Sequence, residues 1–178
     1  MSLMPDRPLV AVCITCRNSG VTIEYTIRSI ALLKYPRDRL VVIVVDGGST
    51  DDTVEKAGRL LRLYGLRHEI VVKPCNIPAG RNECIDRAVR AGARYLLFVD
   101  SDVVIADKHV LSKLLELEEK YGPCVVQANA VFKTFRGLDE LRLFASRVAE
   151  MDGGGDGGKG VVVAAMWCGM GLTLVPVE

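Results

Sequence analysis

The feature that most constrains this chain is a regular alternation of short apolar runs with longer amphipathic segments. Apolar runs stand at 9–16, 39–46, 68–73 and 95–100, and each is followed by a segment whose apolar residues recur at helical spacing. Near-continuous apolar runs of this length are typical of parallel strands that are covered on both faces. The alternation therefore predicts an α/β fold with a mostly parallel sheet, right-handed crossovers and helices on both faces.

Helical spacing and turn residues divide the rest of the chain. We predict a fifth strand at 124–133 and helices at 20–36, 52–64, 79–92, 107–122 and 138–150. The loop 152–160, "DGGGDGGKG", is expected to be mobile because it is mostly glycine. The uncharged stretch 160–177 approaches the roughly 20 residues of a membrane-spanning helix. Its glycines, Pro176 and β-branched residues favour buried strands broken by a turn instead.

Length and charge favour one domain and argue against nucleic acid as a partner. The chain has 178 residues, 49% of them hydrophobic, which is enough to bury one core, so we expect a single domain spanning 1–178. The formal net charge of +1 lacks the basic excess with which nucleic-acid binders replace phosphate counterions.

The cysteines and the amino terminus point to a reducing compartment. Most of the six cysteines lie within apolar or helical patterns rather than at the loop spacings of a disulfide-stapled domain, so we expect free thiols. The first residues, "MSLMPDRP", lack the apolar core of a signal peptide. We therefore predict a cytoplasmic protein.

Two carboxylates stand at the end of the fourth apolar run, where a core strand would not carry them without a partner. In "YLLFVDSDVVI", Asp100 and Asp102 are separated only by Ser101, and side chains at i and i+2 of an extended segment face the same side. Ligands of open parallel sheets bind beyond the carboxyl ends of the strands. The pair predicts a site for Mg²⁺ or Mn²⁺ completed by substrate phosphates, although Asp102 could instead begin a polar loop.

Other polar residues are predicted at the same edge of the sheet. Asp46 ends the second apolar run and could accept hydrogen bonds from a ribose or a base, or could serve only as a turn residue. Arg81 stands where a helix begins and could meet a diphosphate there, or could be a solvated surface residue. The run 49–52, "STDD", is assigned to capping of the second helix.

Three sequence patterns that suggest a ligand site are not assigned one. The glycine and lysine spacing of "GGGDGGKG" is that of a phosphate-binding loop, but Gly160 replaces the required Ser or Thr and a strand-like run follows. Cys13 and Cys16 form a CxxC without a second pair of zinc ligands. His68 and His109 have no ligand partners at suitable spacing.

Taken together, the strand ends resemble those of family 2 glycosyltransferases, which use nucleotide-diphospho-sugars and have the GT-A fold. The matching segments, in the family's order, are "VAVCITCRN", "VVIVVDGGSTDDT", "NIPAGRNECIDRA" and "YLLFVDSDVVI". They extend from Val10 to about Leu115. The resemblance implies a GT-A-type, Rossmann-like α/β sheet.

The resemblance also implies roles for individual residues. Thr15, Arg17 and Asp46 would lie around the nucleotide and Arg81 near its base or diphosphate. Asp100, Ser101 and Asp102 would form the family's DxD motif, with Asp100 toward the sugar or ribose and both carboxylates on a divalent metal, Mn²⁺ or Mg²⁺. The donor would be a UDP- or GDP-sugar, and the sugar would pass to an acceptor hydroxyl with inversion.

Departures from the family pattern set limits on this expectation. Gly47 stands where the family often has a second acidic residue or Asn, and Arg17 stands where an aromatic residue is common. The family's general base follows a strand similar to "CGMGLTLVPVE", at which this chain stops, so we expect the catalytic base, the acceptor site and any membrane-attached segment beyond Glu178. On this view a longer native protein could lie at the cytoplasmic face of a membrane.

Three other functions remain possible from the residues. A nucleotidyltransferase would use a metal and a nucleotide in a similar crevice, but "TCRNSGVT" after the first strand has only one Arg and one Gly. A receiver-type signalling domain would require an acidic pair after the first strand, where this chain has Thr-Cys-Arg-Asn. A donor-binding fragment without turnover would have the same strand ends as the transferase.

Overall fold

The computed structural model describes residues 7–122, 124–127, 130–132, 143, 146–147, 163–165 and 172–177. Four α-helices have both of their ends in this part of the chain: α1 (Ile23–Ala31), α2 (Thr53–Leu63), α3 (Ile77–Arg90) and α4 (Val110–Tyr121). The first five strands are β1 (Val10–Cys16), β2 (Leu40–Asp46), β3 (His68–Val72), β4 (Tyr95–Val99) and β5 (Val103–Ile105). The later strands are β6 (Val126–Gln127), β7 (Ala130–Phe132), β8 (Val163–Ala165) and β9 (Leu172–Pro176).

The strands form a six-stranded sheet in the order β3-β2-β1-β4-β9-β6 and a three-stranded sheet in the order β5-β8-β7. Strands β1 to β4 are mutually parallel, and Val10 of β1 lies level with Leu40 of β2 and Tyr95 of β4. Strand β9 runs antiparallel between β4 and β6. The carboxyl ends of β1, β2 and β4 therefore meet at one edge, and the predicted α/β fold with a mostly parallel sheet is confirmed.

Two cores cover the two faces of the large sheet. One contains the apolar faces of α1, α2 and α4, including Ile27, Leu61 and Leu114, packed on alternate residues of the strands. The other contains Cys84 and Ala88 of α3, packed on the intervening strand residues. Burial on both faces explains why β1 and β2 read as near-continuous apolar runs.

The late part of the chain differs from the prediction in how its strands pair. Instead of one strand at 124–133, the described residues form β6 in the large sheet and β7 in the small one. The apolar stretch near the end contains β8 and β9, as expected for strands rather than a helix. Most of the predicted helix 138–150 and all of the loop 152–160 lie outside the described residues. Within the described part, no helix is both long and apolar enough to cross a membrane.

The expectation that all cysteines are free thiols was wrong. Cys13 of β1 and Cys84 of α3 form a disulfide, with Cα atoms 6.0 Å apart. Both residues lie in the core between the sheet and α3, so the apolar surroundings that suggested buried thiols also bring the two sulfurs together. Cys16, Cys75 and Cys124 are free, and Cys168 lies outside the described residues.

Candidate functional site

A cleft of about 790 Å³ opens at the carboxyl ends of β1, β2 and β4. Its walls include the loop after β1, the first turn of α3 and the segment between β4 and β5. Six residues predicted from the sequence line it: Thr15, Arg17, Arg81, Asp100, Ser101 and Asp102. The fold thus brings together side chains from positions 15 to 102 of the chain.

The acidic segment forms a turn rather than the extended strand that the sequence suggested. The Val103 backbone N–H donates to the Asp100 carbonyl over 3.0 Å, which closes a turn between β4 and β5. Thr26 of α1 donates its hydroxyl to the Ser101 carbonyl over 2.9 Å, and the hydroxyls of Ser101 and Ser19 lie 2.8 Å apart. Both carboxylates line the cleft because these contacts hold the turn from two sides.

The electrostatics of the turn favour a bound cation. Burial of Asp102, and then the negative charge of Asp100, raise the pKa of the Asp102 carboxyl. A divalent cation between the two would relieve this repulsion, and carboxylate oxygens are the ligands that Mg²⁺ and Mn²⁺ prefer. Within the described residues no group of three or more His, Cys, Asp or Glu could hold a metal ion. Two carboxylates in one cleft would suit a metal that takes its other ligands from water and substrate phosphates.

Arg81 contributes positive charge from the first turns of α3. Its guanidinium lies 3.3 Å from Asp100 Oδ1 and 5.6 Å from the centre of the Phe98 ring, and its side chain is 24% exposed. Asn76 begins the helix, since its side chain accepts a hydrogen bond from the Ala79 N–H over 3.0 Å. The arrangement places a fixed cation and a helix N-terminus on the same side of the cleft.

Close packing of α3 against the strand ends favours a glycine at position 80. A Cβ atom on Gly80 would lie 3.3 Å from Thr15 Cγ2 and 3.6 Å from Cys75 Sγ. Asn76, Gly80 and Cys75 were not predicted as site residues, although all three line the cleft. The signal for Asn76 was present, because an N-cap residue followed two positions later by Pro78 is typical of a helix start.

The loop after β1 is held by hydrogen bonds to the loop after β2 and to the start of α2. Asn18 has a positive φ of 52°, in the left-handed region that Asn tolerates better than most residues. Its Oδ1 accepts a hydrogen bond from the Thr50 N–H over 2.9 Å, and the Ser19 N–H donates to Thr53 Oγ1 over 2.8 Å. These contacts fix the backbone around Arg17, whose exposed side chain reaches the cleft.

Asp46 is placed differently from the other predicted site residues. It is fully buried and is not among the residues that line the cleft. Its carboxylate accepts hydrogen bonds from the N–H groups of Gly48 and Ser49, over 3.0 and 2.8 Å, and from the Ser49 hydroxyl. The side chain therefore organises the loop that follows β2.

Capping of α2 was predicted for the run 49–52, and within it Asp51 provides the cap. Its carboxylate accepts hydrogen bonds from the Thr53 N–H over 3.1 Å and from the Gly20 N–H over 3.0 Å. Asp52, the N-cap position itself, makes no side-chain capping bond and pairs with Lys56 over 3.1 Å. The start of α2 is thereby tied to the loop after β1.

Cys16 lines the cleft, but its thiol is a poor nucleophile near neutral pH. Burial of its thiol, together with the negative charge of Asp46 and a hydrogen bond to that carboxylate, raises the pKa of Cys16 to about 12. Because the thiolate is the nucleophilic form, the side chain stays unreactive near neutral pH. Cys16 therefore contributes packing to the cleft.

The family follows from comparison with known proteins. Residues 11–164 match the model of glycosyl transferase family 2. The chain belongs to this family, which confirms the resemblance of its strand ends.

Individual relatives are similar to parts of the chain. The probable glycosyltransferase YdaM of Bacillus subtilis is 31% identical over 83 residues, covering 47% of this chain and 20% of that protein. The uncharacterized protein MT1568 of Mycobacterium tuberculosis is 40% identical over 118 residues, covering 65% of this chain and 35% of that protein. The chain thus spans about a fifth to a third of the length of these curated relatives.

Solved structures share the fold. S. aureus TarS in complex with UDP-GlcNAc matches with a TM-score of 0.59 and 25% identity, over 72% of this chain and 35% of that chain. The mannosyltransferase PcManGT from Pyrobaculum calidifontis, in complex with GDP-Man and Mn²⁺, matches with a TM-score of 0.62 and 24% identity, over 71% and 37%. The second likeness supports the GT-A fold alone.

Proposed function

We propose that this chain is the donor-binding part of a glycosyltransferase that moves a sugar from a nucleotide-diphospho-sugar to an acceptor hydroxyl with inversion. The observation that carries the proposal is the convergence of Asp100, Asp102 and Arg81 in one cleft at the carboxyl ends of parallel strands. Membership of glycosyl transferase family 2 supports the reaction class. We also propose that residues 1–178 form one domain.

The proposed roles follow the geometry of the cleft. Thr15, Arg17 and Ser101 would contact the nucleotide-sugar from the loop after β1 and from the β4–β5 turn. Arg81 would sit beside the diphosphate, where a cation at a helix N-terminus favours negative charge. For Asp46, a nucleotide-binding role is still a prediction, and its hydrogen bonds support an indirect contribution through the loop that it holds.

Asp100 and Asp102 would hold a divalent cation, Mg²⁺ or Mn²⁺. When bound, such a cation supplies Lewis-acid stabilisation of the charge that grows on the leaving diphosphate. Arg81, 3.3 Å from Asp100 Oδ1, holds that carboxylate at the edge of the site and adds positive charge where a diphosphate would lie. The residues of the turn orient the pair through the Thr26 and Ser19 hydroxyls.

The donor is proposed as a UDP- or GDP-sugar, and the acceptor is left unassigned. TarS, a relative by fold at 25% identity, was solved with UDP-GlcNAc, which supports a nucleotide-sugar in this cleft. Within the described residues, Asp100 and Asp102 are the only carboxylates that line the cleft. If both bind metal, the general base must come from another part of the protein, as the sequence comparison with the family implied.

Calorimetric titration of UDP and GDP, with and without Mn²⁺, tests the donor site. We expect metal-dependent binding of one nucleotide, weakened more than about tenfold in Asp102→Asn, because even residues behind a metal ligand affect metal affinity by about 10- to 100-fold. Asp52→Asn is the matched control, since Asp52 is exposed and lies outside the cleft. Equal affinity in all three proteins, or no nucleotide binding by folded wild type, would refute the metal-assisted donor site.

Product analysis separates the proposed reaction from the two alternatives. A glycosyltransferase releases a nucleoside diphosphate from the sugar nucleotide, whereas a nucleotidyltransferase attacks the α-phosphate of a nucleoside triphosphate and releases pyrophosphate. UDP- and GDP-sugars are incubated with a panel of hydroxyl acceptors, and nucleoside triphosphates with sugar phosphates, and chromatography distinguishes the products. Binding without any product would instead support a donor-binding fragment.

The cytoplasm, or the cytoplasmic face of a membrane, is proposed as the location. Disulfides are rare in reducing compartments. The redox state of Cys13 and Cys84 in cells therefore tests the proposed location directly. Cells are lysed in acid, alkylated at once and analysed by peptide mapping. Alkylated Cys13 and Cys84 would agree with a cytoplasmic location, and an intact bridge would argue against it.

A further inference from the structure

The edge of the sheet opposite the cleft carries a concentration of positive charge that the net charge conceals. Three connections meet there, 32–39 before β2, 62–67 before β3 and 90–94 before β4, and we call them the basic edge. Seven of their residues are basic and one is acidic: Lys34, Arg37, Arg39, Arg62, Arg67, Arg90, Arg94 and Asp38. Since the whole chain has a net charge of only +1, the remaining residues are net negative.

The parallel topology brings these connections to one level. Strands β1 to β4 run in the same direction, so each helix ends, and the next strand begins, at the edge away from the cleft. A direct contact joins two of the connections, since Arg37 donates to the Tyr64 carbonyl over 2.9 Å. The third is held at the start of the sheet, where the Arg94 N–H donates to the Leu9 carbonyl over 2.9 Å. Basic residues distant in sequence therefore lie at one edge of the sheet.

Some of this charge serves the fold and must be set aside. Arg37 donates to the carbonyls of Ala31 and Tyr64 over 2.8 and 2.9 Å and so joins the ends of α1 and α2. Arg39 lies 3.7 Å from Asp38, and Arg94 packs over the Tyr95 ring. Stabilisation of helix dipoles explains one basic residue at each helix end.

Other cations of the basic edge lack a carboxylate partner among the described residues, although two of them, Arg62 and Arg90, also lie in the last turns of α2 and α3 and interact with the helix dipoles there. Within the described part of the chain no ion pair joins a carboxylate to any of four exposed basic residues, Lys34, Arg62, Arg67 and Arg90. Next to Arg62 in the chain is an exposed aliphatic side chain, Leu63, which is 72% exposed at the end of α2. Cations around an exposed apolar side chain match an interface that is both anionic and apolar.

We propose that the basic edge docks on an anionic phospholipid surface. The cations would face lipid phosphates, and Leu63 would enter the interfacial layer of the bilayer. The cleft lies at the opposite ends of β1 and β2, each seven residues long, and would therefore face away from the bilayer. Nucleic acid fits less well, because binders of single strands combine cations with exposed aromatic platforms. Of the tyrosines in these connections, Tyr35 is buried and its hydroxyl donates to the Pro8 carbonyl, and Tyr64 is half-buried.

The inference does not depend on the donor or the reaction, so vesicle flotation tests it independently. The full chain is mixed with phosphatidylcholine vesicles, with or without roughly a third of phosphatidylglycerol, in about 0.1 M salt, where the Debye length is about 10 Å. We expect flotation with the anionic vesicles alone. It should decrease as salt is raised, because screening weakens attraction to the surface.

Matched charge variants locate the interaction. Each Lys or Arg near an anionic surface contributes about fivefold to binding, so Arg62→Gln with Arg67→Gln should lower the partition coefficient about 30-fold. Leu63→Ser should lower it by about tenfold through loss of apolar burial. Arg17→Gln with Lys73→Gln removes the same charge from the cleft end of the sheet and should leave flotation close to that of wild type. Circular dichroism checks that each variant is folded.

Three results would overturn the proposal. Wild type that stays with the aqueous phase in the presence of anionic vesicles does not dock on them. Equal losses in the Arg62/Arg67 and Arg17/Lys73 variants would mean that overall charge, not the basic edge, drives binding. Binding of a single-stranded RNA that depends on Arg62 and Arg67, without flotation, would assign the surface to nucleic acid instead.

Discussion

The substitution Asp46→Ala distinguishes two possible roles of this carboxylate. The sequence predicts that Asp46 contacts the nucleotide, whereas in the structure it is buried and accepts hydrogen bonds from the loop after β2. The substitution removes the acceptor for two backbone N–H groups and one hydroxyl, of Gly48 and Ser49, and for the weaker donor Cys16 Sγ. A hydrogen bond to a charged group contributes about 1.5–3 kcal/mol, and part of the loss is recovered when water reaches the loop. We therefore expect the free energy of unfolding to fall by about 3–4 kcal/mol.

Urea unfolding followed by circular dichroism measures this loss in the full chain with its disulfide intact. With a denaturant slope of about 2 kcal/mol per molar urea, the midpoint should fall by about 1.5–2 M. Asp46→Asn keeps one acceptor oxygen and should lie between Asp46→Ala and wild type. Asp52→Ala, the control, removes an exposed carboxylate from the same loop region and should change stability by less than about 1 kcal/mol.

The stabilities and the nucleotide affinities together decide the role of Asp46. If the carboxylate organises the loop, donor affinity falls only as far as the loop is disturbed, and stability falls with it. An unchanged urea midpoint in Asp46→Ala, with nucleotide binding abolished, would refute the structural reasoning and make Asp46 a direct ligand of the nucleotide.

Two further predictions concern the cysteines. Because the pKa of Cys16 is raised to about 12, its thiol stays protonated well above the usual cysteine pKa of about 8.5. Iodoacetamide labelling with peptide mapping should modify Cys75 before Cys16 at pH 8, and the rate at Cys16 should continue to rise beyond pH 10; equal rates at pH 8 would contradict this. The Cys13–Cys84 bridge closes a loop with a sequence separation of 71, so reduction should cost up to about 4 kcal/mol of stability on the chain-entropy account. Dithiothreitol should lower the urea midpoint of wild type and of Cys75→Ser but not that of Cys84→Ser, and a midpoint insensitive to reduction in all three would show that the bridge contributes nothing.

The elements of the fold were predictable because they depend on local patterns. The runs that became β1, β2, β3 and β4 were identified to within about a residue or two, since burial on both faces leaves a nearly continuous apolar signal. The helices were identified as well, with boundaries that shifted by a few residues. The split of 124–133 between two sheets was missed, because partner choice depends on β8 and β9, which come 30 or more residues later.

The residues of the candidate site were also predicted only in part. Thr15, Arg17, Arg81, Asp100, Ser101 and Asp102 were expected at one edge, and all of them line the cleft. Asn76, Gly80 and Cys75 were missed, since α3 reaches the end of β1 only through tertiary packing. The turn at Asp100 was missed because Thr26 and Ser19, which hold it, are distant in sequence.

The sequence by itself determined that strands and helices alternate, and a parallel alternating sheet must collect its strand ends, with their polar residues, at one edge and its helix ends at the other. Only the tertiary structure decided which of these polar groups face the cleft and can contact a ligand. Asp46 and Asp102 both follow apolar strands, yet Asp46 is enclosed by donors of its own loop while Asp102 faces the cleft beside Asp100. Cys13 and Cys84 are paired because α3 packs across β1. The physical reason is that the burial of a side chain and the pairing of two cysteines depend on which helix and strand surfaces pack together. The periodicity of apolar residues in the sequence indicates only that each segment has an apolar surface to bury.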